Sequence, residues 1–196
     1  MTSKIKEIAT VQTGYQFRGK IEPTEAGTHY AIQLKDIDDE GRLHVEGLDP
    51  VTPKRSVEAF LVSPGDVLFL ARGNRPMAVT ITHPVEDTFV SSYFFLIRPN
   101  ESVVRPGYLT WAINVSLQTR LATLMQGTHV PQVSIGDFRE LPVDLPSLAV
   151  QDRIVALDEL GRRERWLAEE VTRRRAELVR VACLRASRRG KRGERA

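Results

Sequence analysis

The sequence predicts an α+β fold: a mixed-sheet body over residues 1–146, a long helix over 147–188 and a basic tail over 189–196. Three observations carry that expectation. Short runs rich in Val, Ile, Phe and Tyr, separated by Gly- and Pro-containing turns, crowd the first hundred residues. From Leu148 to Arg188 there is no proline and only Gly161 weakens the helical pattern, so the stretch predicts a rod of about 60 Å at about 1.5 Å per residue. The charge is also divided: residues 172–196 hold nine Arg and Lys191 against Glu177 and Glu194, a net of +8, which leaves −5 for residues 1–171 out of a total of +3. The basic character therefore belongs to the end of the chain and says nothing about the body.

The elements follow in order. Ile5, Ile8 and Val11 recur at helical spacing and Gly14 closes the run, which predicts an opening helix. Tyr15 to His29 is polar, with Gly19, Pro23 and Gly27, and predicts a loop. Strands are expected at Tyr30–Leu34, Leu43–Glu46, Asp66–Ala71, Met77–Thr82 and Thr88–Ile97. Pro106 opens a helix whose stripe is Leu109, Ile113, Leu117, Leu121 and Leu124, with Gly127 as terminator. Ser134 with Asp137 three residues on has the form of an N-cap. Leu141 to Pro146 is extended, because each residue before a proline is pushed out of the helical region.

With 41% hydrophobic and 27% charged residues the chain can bury a core. No run of about 18 apolar residues suggests a membrane span. The start lacks a signal-peptide pattern, and Cys183 is alone, so a reducing cytoplasm is the expected setting. No phosphate loop, dinucleotide fingerprint or nucleophile elbow occurs. His29, His44, His83 and His129 stand far apart, and no Lys has a carboxylate two residues before it, as metal nucleases often do. An enzyme built from scattered residues stays open, but nothing points to one, and no cofactor or metal is expected.

Three polar, glycine-bearing loops remain. They are Gly14-Tyr15-Gln16-Phe17-Arg18-Gly19-Lys20, Arg72-Gly73-Asn74-Arg75, and Gln126-Gly127-Thr128-His129 with Gln132 and Ser134. Arg suits guanine and phosphate, Asn and Gln suit adenine, and glycine lets the backbone approach closely. Taken singly, each loop also has the composition of an ordinary turn.

The long helix carries a pairing code. Leu157, Glu164, Val171 and Leu178 share one heptad position, and Leu160, Leu167, Arg174 and Val181 share the other. Leu157 with Val181, Leu160 with Leu178, Glu164 with Arg174 and Leu167 with Val171 each sum to 338. That is the pattern of two identical helices running antiparallel about a two-fold axis near residue 169. A parallel pair would stack Glu164 on Glu164 and Arg174 on Arg174, desolvating like charges. The competing arrangement packs the stripe on the chain's own body and turns both charges to solvent.

The order of motifs resembles the specificity subunits of type I restriction-modification systems. The likeness runs through Ile5-Lys6-Glu7-Ile8-Ala9, Gly14-Tyr15-Gln16-Phe17 and Ile32-Gln33-Leu34-Lys35-Asp36-Ile37. It continues in Pro64-Gly65-Asp66-Val67-Leu68-Phe69, Ala71-Arg72-Gly73, Pro106-Gly107-Tyr108-Leu109 and Gly127-Thr128 with Pro131. It ends in Leu141-Pro142-Val143 through Pro146 to Gln151. The resemblance implies a non-catalytic protein, a target recognition domain followed by a coiled-coil spacer helix, binding double-stranded DNA and seating methyltransferase subunits, with a restriction subunit joining the assembly. Where the family commonly has Glu-Gln, this chain has Val150-Gln151. Full subunits carry two recognition domains and two spacers; this sequence holds one set. A homodimer through the C-terminal helix would restore the pair, with the two helix starts about 63 Å apart, a little under two turns of B-DNA at about 34 Å each. On this basis Tyr15, Arg18, Arg72, Asn74, Arg75, Thr128, His129 and Gln132 are expected to touch bases, and Lys20 and Lys35 phosphates. The alternative is a coiled-coil scaffold whose body docks protein instead of DNA.

Overall fold

The structure, a computed structural model, describes residues 1–19, 21–38, 41–73, 76–125 and 131–193, without the side chains of 186 and 188–193. The chain divides into two compact units, residues 1–155 and 156–196.

The first unit holds nine strands among its described residues. They are β1 (Thr2–Lys4), β2 (Ala9–Thr13), β3 (His29–Ile32), β4 (Asp49–Val51), β5 (Val67–Leu70), β6 (Ala78–Thr80), β7 (Thr88–Val90), β8 (Phe94–Pro99) and β9 (Pro142–Asp144). They form a central four-stranded antiparallel sheet in the order β2-β8-β5-β6, a three-stranded sheet β4-β3-β7, and the pair β1-β9. The three-stranded sheet is mixed, with β3 parallel to β7 and antiparallel to β4. The helices are α1 (Ile5–Ile8), α2 (Pro106–Trp111), α3 (Gln118–Leu124), α4 (Ile135–Glu140) and α5 (Leu148–Gly193).

β5 reads Val67-Leu68-Phe69-Leu70 without alternation, because both of its faces are covered. Val67 and Phe69 point into a core shared with Ile97, Leu109, Ile113 and Phe138; Leu68 and Leu70 point into a second core with Ile32, Val90, Phe94 and Leu96. Phe138 of α4 stacks on Phe69 at a centroid distance of 4.4 Å. Ser134 caps that helix as expected, its Oγ accepting the Asp137 N–H at 3.1 Å.

Several elements differ from the sequence expectation. The opening helix stops at Ile8, and Val11 lies on β2, where backbone pairing with β8 wins over a four-residue helical stripe. Leu43–Glu46 is not a strand; Leu43 makes a single bridge to Ile37, and the strand forms one turn later as β4. Thr88–Ile97 splits into β7 and β8 in different sheets. The helix from Pro106 is interrupted by a π-helical segment, Ala112–Ser116, in which the Leu117 N–H bonds to the Ala112 carbonyl at 2.8 Å. The wider turn presents Asn114 to the edge strand β6: its Oδ1 accepts the Ala78 N–H at 2.7 Å and its Nδ2 donates to the Ala78 carbonyl at 2.8 Å. A side-chain amide thus does for one residue what another strand would do. The expected terminator Gly127 lies outside the described residues.

α5 extends to Gly193, past the expected tail start at 189, and the first compact unit includes its opening residues up to Val155. Gln151 explains that inclusion. It is 0% exposed. Its Oε1 accepts the Arg105 N–H at 2.8 Å, and its Nε2 donates to the carbonyls of Val103 and Pro146, each at 3.0 Å. Val155 also packs against Gly107, where a Cβ would come within 3.1 Å of the Val155 methyl. Replacing Gln151 with Ala removes the side-chain partner of three backbone groups and is expected to cost about 2 kcal/mol, read as a lower urea midpoint with unchanged slope.

Candidate functional site

β7 and β8 are joined by only three residues, Ser91-Ser92-Tyr93, yet belong to different sheets. That short link holds the ends of both sheets together, and the polar loops attach to it by backbone hydrogen bonds. From the first loop, the Gly14 N–H bonds to the Phe94 carbonyl at 2.9 Å and the Tyr15 N–H to the Val90 carbonyl at 2.7 Å; the Ser92 N–H returns to the Tyr15 carbonyl at 2.9 Å. The Ser91 N–H reaches the end of β3 at the Ile32 carbonyl, 3.1 Å. On the other side, the Ala71 N–H bonds to the Tyr93 carbonyl at 3.0 Å, the Val133 N–H to the Ala71 carbonyl at 2.9 Å, and the Gly73 N–H to the Pro131 carbonyl at 3.0 Å.

Loops that are remote in sequence are thereby tied to one three-residue link. Arg72 and Gln132, both exposed, are opposite each other across an isolated antiparallel bridge, which puts their side chains about 5 Å apart at the Cβ atoms. Tyr93, 44% exposed, stands on the turn beside them. Two glycines permit the geometry. Gly73 has φ +124°, a conformation that L side chains rarely adopt. Gly14 lies so close to the link that a Cβ would meet the Ser91 carbonyl oxygen at 2.3 Å.

The sequence-predicted residues therefore divide. Arg72 and Gln132 come together. Tyr15 is corrected from a base-touching side chain to a core one: only its backbone joins the surface. Its ring, 6% exposed, meets Phe17, Phe60 and Phe89 edge-on at centroid distances of 4.9, 5.6 and 5.2 Å. Lys35, on the turn after β3, is bound to Asp49 at 2.7 Å, and Gln33 donates to the same carboxylate at 2.8 Å. That pairing raises the Lys35 pKa and holds Asp49 below its ordinary value. Neighbouring Asp36 is shifted upward by burial, opposed by the hydrogen bond from the Gln33 N–H. Arg18 is exposed on a separate flank pocket. Lys20, Asn74, Arg75, Thr128 and His129 lie outside the described residues. Sequence reasoning missed Tyr93, which sits in the middle of a run that read as one strand.

The second unit is the rest of α5. Its seam residues are exposed: Leu157 at 69% and Leu178 at 70%, with Leu160, Leu167 and Val171 also exposed and Val181 partly so. Glu164 is exposed, while Arg174 donates from Nε to Glu170 Oε1 at 2.6 Å; Glu170 also receives Arg173. These two arginines, Arg174 foremost, hold the Glu170 carboxyl below its ordinary pKa. No helix among the described residues is long and apolar enough to cross a membrane, and no group of three metal-ligating side chains occurs among them.

Three solved structures share this architecture. The S subunit of a type I restriction-modification system from M. genitalium matches with a TM-score of 0.55 and 14% identity, over 82% of this chain and 38% of that one. The HsdS subunit from Thermoanaerobacter tengcongensis matches with a TM-score of 0.59 and 18% identity, over 83% and 37%. A chain from a study of complex assembly and conformational transition in the type I R-M system matches with a TM-score of 0.62 and 19% identity, over 92% and 43%. The fold is that of type I restriction-modification S subunits. The chain spans about two fifths of the length of these S-subunit structures. No protein-family model and no curated protein matches it.

Because the whole surface hangs on the β7–β8 link, Gly14→Ala is expected to cost about 2 kcal/mol by overpacking against Ser91. Thermal unfolding checks this; an unchanged midpoint would show that the link can yield.

Proposed function

We propose that this chain is the sequence-reading, non-catalytic polypeptide of a type I restriction-modification assembly, and that two copies pair through antiparallel α5 helices to read a two-part DNA site. The observation that carries the reading is the convergence of Arg72 and Gln132, with exposed Tyr93, on one surface of an S-subunit-like fold. Arg presents paired donors to guanine O6 and N7, and Gln can both donate to and accept from adenine. The match, which covers about two fifths of the S-subunit structures, corresponds in this reading to one reading head, and a two-fold pair supplies two.

The exposed seam of α5 supports the pairing, since a row of large aliphatic side chains calls for cover. In the antiparallel register every facing pair is apolar except Glu164 against Arg174, which occurs twice. The positions flanking the seam agree: Arg163 of one copy comes beside Glu177 of the other, and Ala156 beside Leu184. Arg174 then lies between Glu170 of its own helix and Glu164 of the second copy. Glu170 comes near its own twin at the axis, where Arg173 and Arg174 already offset its charge. Methyltransferase subunits seat on this assembly, a restriction subunit joins it, and the accompanying compartment is the cytoplasm.

Sedimentation tests the pairing. The wild type is expected to be a dimer at micromolar concentration, Glu164→Lys to shift toward monomer, and Glu164→Lys with Arg174→Glu to return to dimer. A monomeric wild type would end this part of the reading. Mapping of methylated positions in DNA bound by the assembled complex tests the rest. Two symmetric half-sites around an unread spacer are expected, and Arg72→Ala is expected to relax the preference at one position of each half by about 1–3 kcal/mol.

A further inference from the structure

Beside the reading loops, the three-stranded sheet carries a pocket of about 350 Å³, formed where the Tyr15–Arg18 segment faces the segment that follows β4. Its floor includes Tyr15 and Phe17, and its rim carries Arg18, Lys54 and Arg55 against the single carboxylate of Glu22. Phe17 stacks on Phe89 of β7 at a centroid distance of 5.8 Å, so the floor is fixed to the same strand whose end carries the loop hub.

These three cations share one pocket, and no carboxylate or carbonyl among the described residues neutralises them. Lys4 and Lys6 pair with Glu140, Lys35 with Asp49, Arg42 with Asp38, Arg98 with Asp66, and Arg105 with Asp152. Arg139 donates to the Val11 carbonyl. Arg18, Lys54 and Arg55 have no ion pair or hydrogen bond among the described residues, and all three are exposed. A body of net negative charge thus keeps an unpaired cluster of three positive groups in one concave site next to its reading surface. Like charges held together repel one another, so the arrangement stabilises nothing in the free chain and is suited to an anion from outside. Guanidinium groups match a phosphate with paired donors, and an ammonium adds a point charge.

We infer that this pocket is a backbone-phosphate clamp for the DNA duplex, with Lys54 and Arg55 as its principal contacts and Arg18 closing the rim. The inference rests on the DNA-reading function proposed above. The clamp positions the head without reading sequence, because phosphates are the same at every base pair. Sequence reasoning reached Arg18 only; the signal for the others was a Lys-Arg dipeptide after Pro53, in a loop with no acidic neighbour until Glu58.

The test compares the full-length wild type with Lys54→Ala/Arg55→Ala on cognate and unrelated duplexes over a range of salt. Both residues are exposed and bonded to nothing in the described chain, so the fold is expected to be kept. The variant is expected to bind both duplexes about 10- to 100-fold more weakly at physiological salt. Its log–log salt slope should be shallower by about 2, with the ratio of cognate to unrelated binding unchanged. A variant with the wild-type slope overturns the clamp while leaving the reading function intact. A changed cognate ratio with the same slope overturns it too, since the residues would then be reading bases. A loss of inorganic-phosphate binding with no change on DNA would make the pocket a small-anion site instead. If the wild type binds no duplex, the proposed function falls and the clamp with it, a result distinct from the other three.

Discussion

Three residues connect β7 of one sheet to β8 of another, and the surface of the first unit follows from that short tether. A connection so brief cannot let two sheets drift apart, so the ends of β2, β3 and β5 are all brought to the same place. The backbone groups of Ser91, Ser92 and Tyr93 then meet their hydrogen-bonding needs by binding the loops that leave those strands. Buried or half-buried peptide groups must find partners. Here the partners are the loops that carry Arg72 and, one bridge further on, Gln132.

Rigidity behind the loops comes from burial on two sides. β5 has helices on one face and the three-stranded sheet on the other, so none of its residues is free to move toward solvent. At the edges, side-chain amides replace missing backbone partners. Asn114 completes β6, and Gln151 joins the first turn of α5 to the segments around Val103 and Pro146. Buried amides with every group satisfied specify one arrangement, since any shift leaves a donor or acceptor unpaired. The base reading proposed for this surface would need that fixity, because a base contact is lost when a side chain is displaced by an ångström.

Electrostatics divides the molecule by task. Seven of the described cations of the first unit are committed to a carboxylate or a carbonyl of the same chain. The uncommitted ones include Arg72 on the loop surface and the Arg18–Lys54–Arg55 cluster beside it. Net charge, which is dominated by the end of α5, gives no hint of this division. In α5 itself Glu164 and Arg174 interrupt an otherwise apolar seam, and under the proposed antiparallel pairing they would mark its register.

How much could be foreseen follows from the range of each interaction. Local patterns were legible: the Ser134 cap, the turn at Gly73, the unbroken α5 and its heptad code depend on residues within a turn or two of each other, and the sequence by itself determined them. The order of motifs was enough for the S-subunit fold. Tertiary structure alone decided the rest. Val11 turned from helix to strand because β8 offered it a hydrogen-bonding edge. The stripe from Pro106 gave way to a π turn because Ala78 needed Asn114. Tyr15 left the surface because three aromatic rings lay beneath it, while Tyr93 reached it because the β7–β8 link bends there. Lys54 and Arg55 stand out only because no anionic partner faces them among the described residues. Each of these outcomes turns on a neighbour distant along the chain, and period, propensity and composition hold no record of it.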